Sequence, residues 1–480
     1  MRLTSIILVC VLAMGAGTAA SVRAGDGARS SHGAARVSDS LALSVTRMAA
    51  DSLVARARPM PRGGRAWRSA IQAPHYQTDR DVGAASIGEG LLAAYAVTRD
   101  ARYLRTAVAA GDFLLGVAEP VAGGLRWPDW ADPDGRRSTT HFTSFDDGAA
   151  GISDFLWRLS RVAHQPRFRT AALRGMRWLV AQARGPSCPE VACSWRWTDD
   201  PDWRVAYYGV GMGQAGVVMT LDTFADRTGN QTYRAYARAG AARLRGVTEG
   251  GTKPLPRGSE SSTLETGFLS GSAGAAYMFL DRYVRDGDPA DLAAARALLA
   301  WVNDRALPHP SGGLRWPVAD DDGSSASGYE LGVAGVAWVN LRAARMTGDP
   351  SYLDVARRAG TWLRHVRLTD GAWRELGETE SPLHVGLDSG AAGIGWVLED
   401  LARAGLDASA NREAARAALA GLNAAVARDG LGAFWYENRT GGRPRLRAEP
   451  SWHWGSAGIA AFAAGLAGWS GRGPGGQIAP

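Results

Sequence analysis

Seven times along this chain a glycine, any residue, an alanine and a second small residue open an apolar stretch with helical periodicity. The copies are Gly83-Ala-Ala-Ser86, Gly148-Ala-Ala-Gly151, Gly213-Gln-Ala-Gly216, Gly271-Ser-Ala-Gly274, Gly332-Val-Ala-Gly335, Gly390-Ala-Ala-Gly393 and Gly455-Ser-Ala-Gly458. Their first glycines recur every 58 to 65 residues. A period of that size makes each copy one supersecondary unit, which cannot bury its apolar face alone and must stack on its neighbours. Most of the 480 residues therefore belong to one repeat architecture.

Within a unit, the motif starts a first helix, as in Ile152-Ser-Asp-Phe155-Leu156-Trp157-Arg-Leu159. A polar turn leads to a second amphipathic helix, in which Tyr103, Tyr233 or Tyr352 is followed by Ala and Gly at helical spacing; Asp349-Pro350 marks one such start. Short glycine-aromatic segments follow. Gly123-Gly-Leu-Arg-Trp127-Pro and Gly312-Gly-Leu-Arg-Trp316-Pro are identical, and Gly371-Ala-Trp373 and Gly432-Ala-Phe-Trp435 are looser versions. They read as small hairpin strands between helical pairs. Small residues at i and i+3 clear one face of every first helix, so those helices can crowd a common axis. That favours a closed ring over an open superhelix. The expected fold is all-α: an α/α toroid of seven helical hairpins, inner helices within outer ones, over residues 70–471, with a tail at 472–480.

Ahead of the ring, Met1-Arg2 precedes the apolar run 6–14, and cleavage after Ala20 or Ala24 would make residues 1–24 a secretory signal too short to anchor in a bilayer. The protein is expected to be secreted, extracellular or attached to the cell wall. Residues 25–69 read as a partly flexible lead, with Leu41, Val45, Met48 and Leu53 spaced as a helix that docks on the body. No other stretch is long enough to span a membrane. Of 54 basic residues only Lys253 is lysine, and the arginines are scattered, so there is no basic stripe for nucleic acid. Cys188 and Cys193 flank a short loop; a local disulfide and a metal site are both open readings, the second lacking a nearby histidine.

The sevenfold motif resembles that of the lanthionine synthetase C-like family, a toroid of seven helical hairpins whose inner helices start at Gly-x-x-Gly. The resemblance implies a peptide-modifying, thioether-forming fold that holds zinc through cysteine and histidine. The matching ligand positions here are Glu330, then Asp388 with Ser389. An arginine expected nearby is Ala326, a further histidine is Ser270, and an expected acid matches Asp146 or Asp147. Without thiolates at these positions, the expectation is no zinc, no other cofactor and no zinc-dependent cyclase activity.

Two residues before each first glycine stand Asp81, Asp146, Gly211, Leu269, Glu330, Asp388 and His453. In a closed ring Glu330, Asp388, His453, Asp81 and Asp146 form one polar arc, and units three and four supply an inert side. These five are the candidate catalytic residues, because inner helices spaced about 8–10 Å apart bring carboxylates into the range of acid–base work on a glycosidic bond. Each Asp could instead be an N-cap, and a hard cation such as calcium is a third reading. His75, His141 and His384 fall in rim loops just upstream. His141, His384, Trp452 and Trp454 are the candidate ligand-binding residues. Trp127, Trp195, Trp316, Trp373 and Trp435 either stack sugars or fill space beneath the strands. A peptide or a carbohydrate is the expected ligand. A glycan hydrolase or lyase, and a non-enzymatic binder, stand beside the peptide-modifying family reading.

Overall fold

Every motif begins a helix at the axis of a closed ring. In the computed structural model the described residues are 27–69, 74–185, 187–320, 322–437 and 448–468. The expected signal 1–24 and tail 472–480 lie outside them. The inner helices are α2 (Ala84–Thr98), α4 (Ala149–Ala163), α6 (Gln214–Thr228), α8 (Ser272–Asp286), α10 (Val333–Thr347), α12 (Ala391–Arg403) and α14 (Ser456–Leu466). Each packs on the next, and α14 packs on α2, so the ring closes. The outer helices α3 (Ala101–Val117), α5 (Pro166–Ala181), α7 (Gln231–Val247), α9 (Pro289–Asp304), α11 (Ser351–His365) and α13 (Ala408–Ala424) pair with the first six inner ones.

The seventh outer helix corrects the expected boundary at residue 70. It is α1 (Gly27–Arg56), which pairs with α14 and sits between α13 and α3. Val45, Ala49 and Leu53 are fully buried. α14 is the last helix among the described residues, and α1 packs on it from the other end of the sequence. The expected lead thus contributes, through α1, half of a unit.

The second glycine of the motif exists because the pre-helical loop folds back over the first helical turn. A Cβ on Gly393 would lie 1.6 Å from the Leu387 carbonyl oxygen, and one on Gly151 would lie 1.9 Å from that of Phe145. Neighbouring units press on the same face: the Cβ of Arg80 comes within 3.1 Å of that position at Gly151. The small-residue face thus serves ring closure and loop fold-back together.

Three outer helices, α3, α7 and α9, start at capping side chains, and most end under tryptophans. Asp100, Asn230 and Asp288 accept from Arg102 N, Thr232 N and Ala290 N. The indole N–H of Trp127, Trp195, Trp316, Trp373 and Trp435 donates to the carbonyls of Leu114, Leu179, Val302, Leu363 and Leu422 at 2.7–3.0 Å. Trp67 does the same to Leu53 of α1 at 2.7 Å. Each adds a side-chain bond to a carbonyl near the end of an outer helix. After α7 the equivalent place is taken by buried Leu255, followed by proline like Trp127 and Trp316. These rings are interior parts, and the sugar-stacking reading of them is withdrawn.

Four antiparallel two-stranded hairpins lie at the rim: β1 (Arg58–Pro59) with β2 (Arg65–Ala66), β3 (Glu119–Val121) with β4 (Gly124–Arg126), β5 (Leu307–Pro308) with β6 (Leu314–Arg315), and β7 (Ala427–Asp429) with β8 (Gly432–Phe434). Gly371-Ala-Trp373 forms a tight turn, with Leu368 and Ala372 bonded through their backbones, and no strand. Inner helices are joined lower down by buried ion pairs. Asp154 lies between Arg158 and Arg227 at 2.6 and 2.7 Å, and Arg158 reaches Glu89 at 3.0 Å. Arg282 bridges Asp222 at 2.6 Å and Asp291 at 3.1 Å. Many of the scattered arginines are this interior glue. Among the described residues no helix is long and apolar enough to cross a membrane.

Candidate active site

The seven residues two places before the first glycines form a second, smaller ring, made of backbone. Asp81 N donates to Asp146 O, Asp146 N to Gly211 O, Gly211 N to Leu269 O, Leu269 N to Glu330 O, Glu330 N to Asp388 O and Asp388 N to His453 O, at 2.9–3.3 Å. The last gap is spanned by a side chain, since His453 Nδ1 lies 2.7 Å from Asp81 Oδ1. All five arc residues therefore stand on one rim around one axis. Beneath them, Asp79 Oδ1 accepts from Val82 N and Gly83 N, Ser144 Oγ from Asp147 N and Ser451 Oγ from Trp454 N. These bonds close the turns before the helices and belong to residues two places earlier, and no helix-start amide among the described residues donates to Asp81, Asp146 or Asp388.

A pocket opens at this rim, lined by Asp81, Asp146, Glu330 and His453 of the arc and by Asp147 and Trp454 beside them. Its other wall is Tyr207, Gly211, Met212, Arg257, Leu269 and Ser270. Units three and four, expected to be inert, are thus where the site has its space. Gly211 shows why: a Cβ there would sit 2.2 Å from Asp146 Oδ2, so only glycine lets that carboxylate turn into the hole. Asp388 stands behind His453 and touches its Nδ1.

Burial and crowding separate the charge states. Desolvation is the largest influence on Glu330, and with Asp388 beside it the pKa rises to about 8. Desolvation also lifts Asp146, to about 6, where His453 and Arg80 restrain the rise. Asp147 goes to about 7 through burial and then Asp81, although the indole of Trp197 donates to it at 2.9 Å. For His453, burial works against the charged form, but Asp388 and Asp81 overcome it and hold the imidazolium well above its ordinary range. Arg80 is buried between the rings of Phe145 and Trp452, with Nη1 3.8 Å from Asp146 Oδ1 and neither Nε nor Nη2 hydrogen-bonded.

Three of the four expected ligand-binding residues are elsewhere. Both ring nitrogens of buried His141 are taken, by Glu119 at 3.0 Å and Asp199 at 3.2 Å. His384 is buried, 3.4 Å from Glu375, and meets Trp454 edge-on with ring centres 5.0 Å apart. Trp452 is buried at the seam under Arg80. Trp454 does line the pocket. His75 stacks on Trp130 with centres 3.6 Å apart and pairs with Asp132. Cys188 and Cys193 are joined by a disulfide with 5.1 Å between Cα atoms. Sequence reasoning missed Tyr207, Met212 and Arg257. Tyr207 stands six residues before its glycine, as His384 does, so its place was detectable; Arg257 comes from a loop with no repeated spacing.

A family model for lanthionine synthetase C-like proteins matches residues 142–413. The chain belongs to this family. No curated protein sequence matches this lanthionine synthetase C-like chain. Among solved structures, cellobiose 2-epimerase from Bacillus thermoamylovorans B4167 is similar at 16% identity and a TM-score of 0.52, covering 74% of this chain and 95% of that one. Cellobiose 2-epimerase from Spirochaeta thermophila DSM 6192 shares 16% identity at a TM-score of 0.50, covering 81% and 96%. Nisin cyclase shares 12% at 0.47, covering 69% and 78%. Identities this low establish the toroid alone.

The residues present do not fit the thiolate-held zinc that the family resemblance implies. Glu330, Asp388 and His453 offer ligand atoms within 4.8 Å of one another, but two carboxylates and one imidazole are a harder set than thiolates. The imidazole nitrogen that faces them lies between the Asp388 and Asp81 carboxylates.

Proposed function

We propose that this lanthionine synthetase C-like toroid is an exported enzyme that does acid–base chemistry on a carbohydrate in its axial pocket, and that it lacks the zinc-dependent cyclase reaction. One observation carries the reading: Glu330 and Asp146 face the same pocket from a single backbone ring, in surroundings that differ. Asp146 has a cationic neighbour in Arg80, whereas Glu330 is crowded by Asp388. Two carboxyl groups held in unlike states supply an acid and a base.

In this scheme neutral Glu330 donates its proton to the oxygen of the glycosidic bond, and ionised Asp146 takes a proton from the attacking water. Asp388 and Asp81 keep His453 charged at the mouth, and Trp454 offers an aromatic face to the ligand. Both cellobiose 2-epimerases act, by their names, on a sugar, which supports the substrate class. Export is supported by the apolar run at 6–14 and by the disulfide.

Incubating the purified protein with oligo- and polysaccharides and following new reducing ends tests the reading. Glu330→Gln and Asp146→Asn are each expected to lower turnover at least about 100-fold with the fold intact. Full turnover in both variants, or stoichiometric zinc that disappears in Asp388→Asn together with thioether formation on a peptide, would overturn it. A peptide ligand is the second reading, favoured by the family match across 142–413.

A further inference from the structure

Away from the axis, three side chains of the kinds that ligate metals converge at the rim around unit five. His309 sits in the turn between β5 and β6, His365 in the last turn of α11, and Glu378 in the loop beyond. One ligand atom of each lies within 4.8 Å of the other two. The imidazole rings are 4.8 Å apart between centres, and His309 Nε2 is 2.9 Å from Glu378 Oε1. The His309 side chain is only 13% exposed. Its far nitrogen, Nδ1, is 2.9 Å from Ser311 Oγ and accepts from the Ser311 amide at 3.1 Å. His365 makes no hydrogen bond among the described residues. None of the three lines the axial pocket.

We propose that His309, His365 and Glu378 form a binding site for a divalent cation of the zinc class. Two imidazole nitrogens and one carboxylate oxygen suit zinc and copper, while calcium and magnesium prefer all-oxygen surroundings. The cation takes the place of the proton between His309 Nε2 and Glu378. For Nε2 to ligate, the imidazole proton moves to Nδ1, which gives up the bond it accepts from the Ser311 amide and donates to Ser311 Oγ instead, the outer-shell bond that fixes a ligating imidazole.

Binding ties a hairpin, an outer helix and a loop from three parts of the chain. The loop matters for the pocket, because its Glu375 and Arg374 carbonyls accept from Ser327 N at 2.8 Å and Ser327 Oγ at 2.6 Å. Ser327 is three residues from Glu330. The cation therefore steadies the segment that presents Glu330, without depending on what that residue does.

Zinc chloride titrated calorimetrically into the full-length protein at about pH 7.5 tests the site. One zinc per chain is expected, with no heat from magnesium chloride. His309→Gln and His365→Gln should each weaken binding by more than about 100-fold, and Ser311→Ala by about 10-fold. Glu330→Gln should keep the full zinc stoichiometry, which separates this site from the axial one. Copper(II) spin resonance should show two imidazole nitrogens, falling to one in His365→Gln, whose exposed position leaves the hairpin untouched. No zinc uptake by the wild type, or unchanged uptake in both histidine variants, would overturn the proposal.

Discussion

His453 carries more of the site than its single position suggests. It closes the backbone ring through Asp81 and is the cation against which Asp388 is buried. Removing one member of a buried ion pair leaves the others uncompensated, at a cost of about 3–5 kcal/mol. His453→Gln should lower stability by that amount at pH 7, read from urea melts. Glu330 governs pH dependence. Its folded pKa of about 8, with about 7 at Asp147 and about 6 at Asp146, lies above the unfolded carboxyl values of about 4. The folded protein thus keeps protons that the unfolded chain releases. Stability should be greatest in mild acid and decline as pH rises through about 6 to 8, with His453 acting in the same direction. Thermal melts from pH 5 to pH 9 would show it, and Glu330→Gln should flatten the slope. Turnover should be bell-shaped, failing below about 6 as Asp146 gains a proton and above about 8 as Glu330 loses one.

At the scale of the element, six of the seven outer helices share one stop, a tryptophan indole on a carbonyl near the helix end, and α7 is the exception. Trp67→Ala removes a fully buried ring and should cost about 3–5 kcal/mol, whereas Trp67→Phe loses chiefly the bond to Leu53 and should cost about 1–2 kcal/mol. A difference between the two variants in chemical denaturation checks the assignment. The identical Gly-Gly-Leu-Arg-Trp-Pro segments showed that these tryptophans share a role, and the hairpins at 119–126 and 307–315 followed. Which role was not legible, because the partner carbonyl lies 10 to 16 residues upstream on a helix whose end the sequence does not mark. The same limit applies to His141 and Trp452, where spacing placed the residue in a rim loop and only packing turned it inward.

For the whole molecule, closure is the property on which stability depends. Gly393→Ala would force a methyl group into the Leu387 carbonyl at the unit junction, and a loss of at least about 3 kcal/mol is expected. Deleting residues 27–69 should strip α14 of its partner and end cooperative melting, a larger effect than loss of a surface helix would give. A truncated chain that melts as sharply as the full one would contradict the assignment of α1 to unit seven. The sevenfold motif alone determined the helical pairs, the closed ring and which five polar residues share its rim, because small residues recurring at i and i+3 of every inner helix let those helices crowd one axis. Only the tertiary structure decided that α1 completes the last unit, that the pocket opens toward units three and four, and that Tyr207 and Arg257 face it. Those outcomes depend on where chain ends and loops meet in space, and contacts between residues hundreds of positions apart leave no periodic trace in a single sequence.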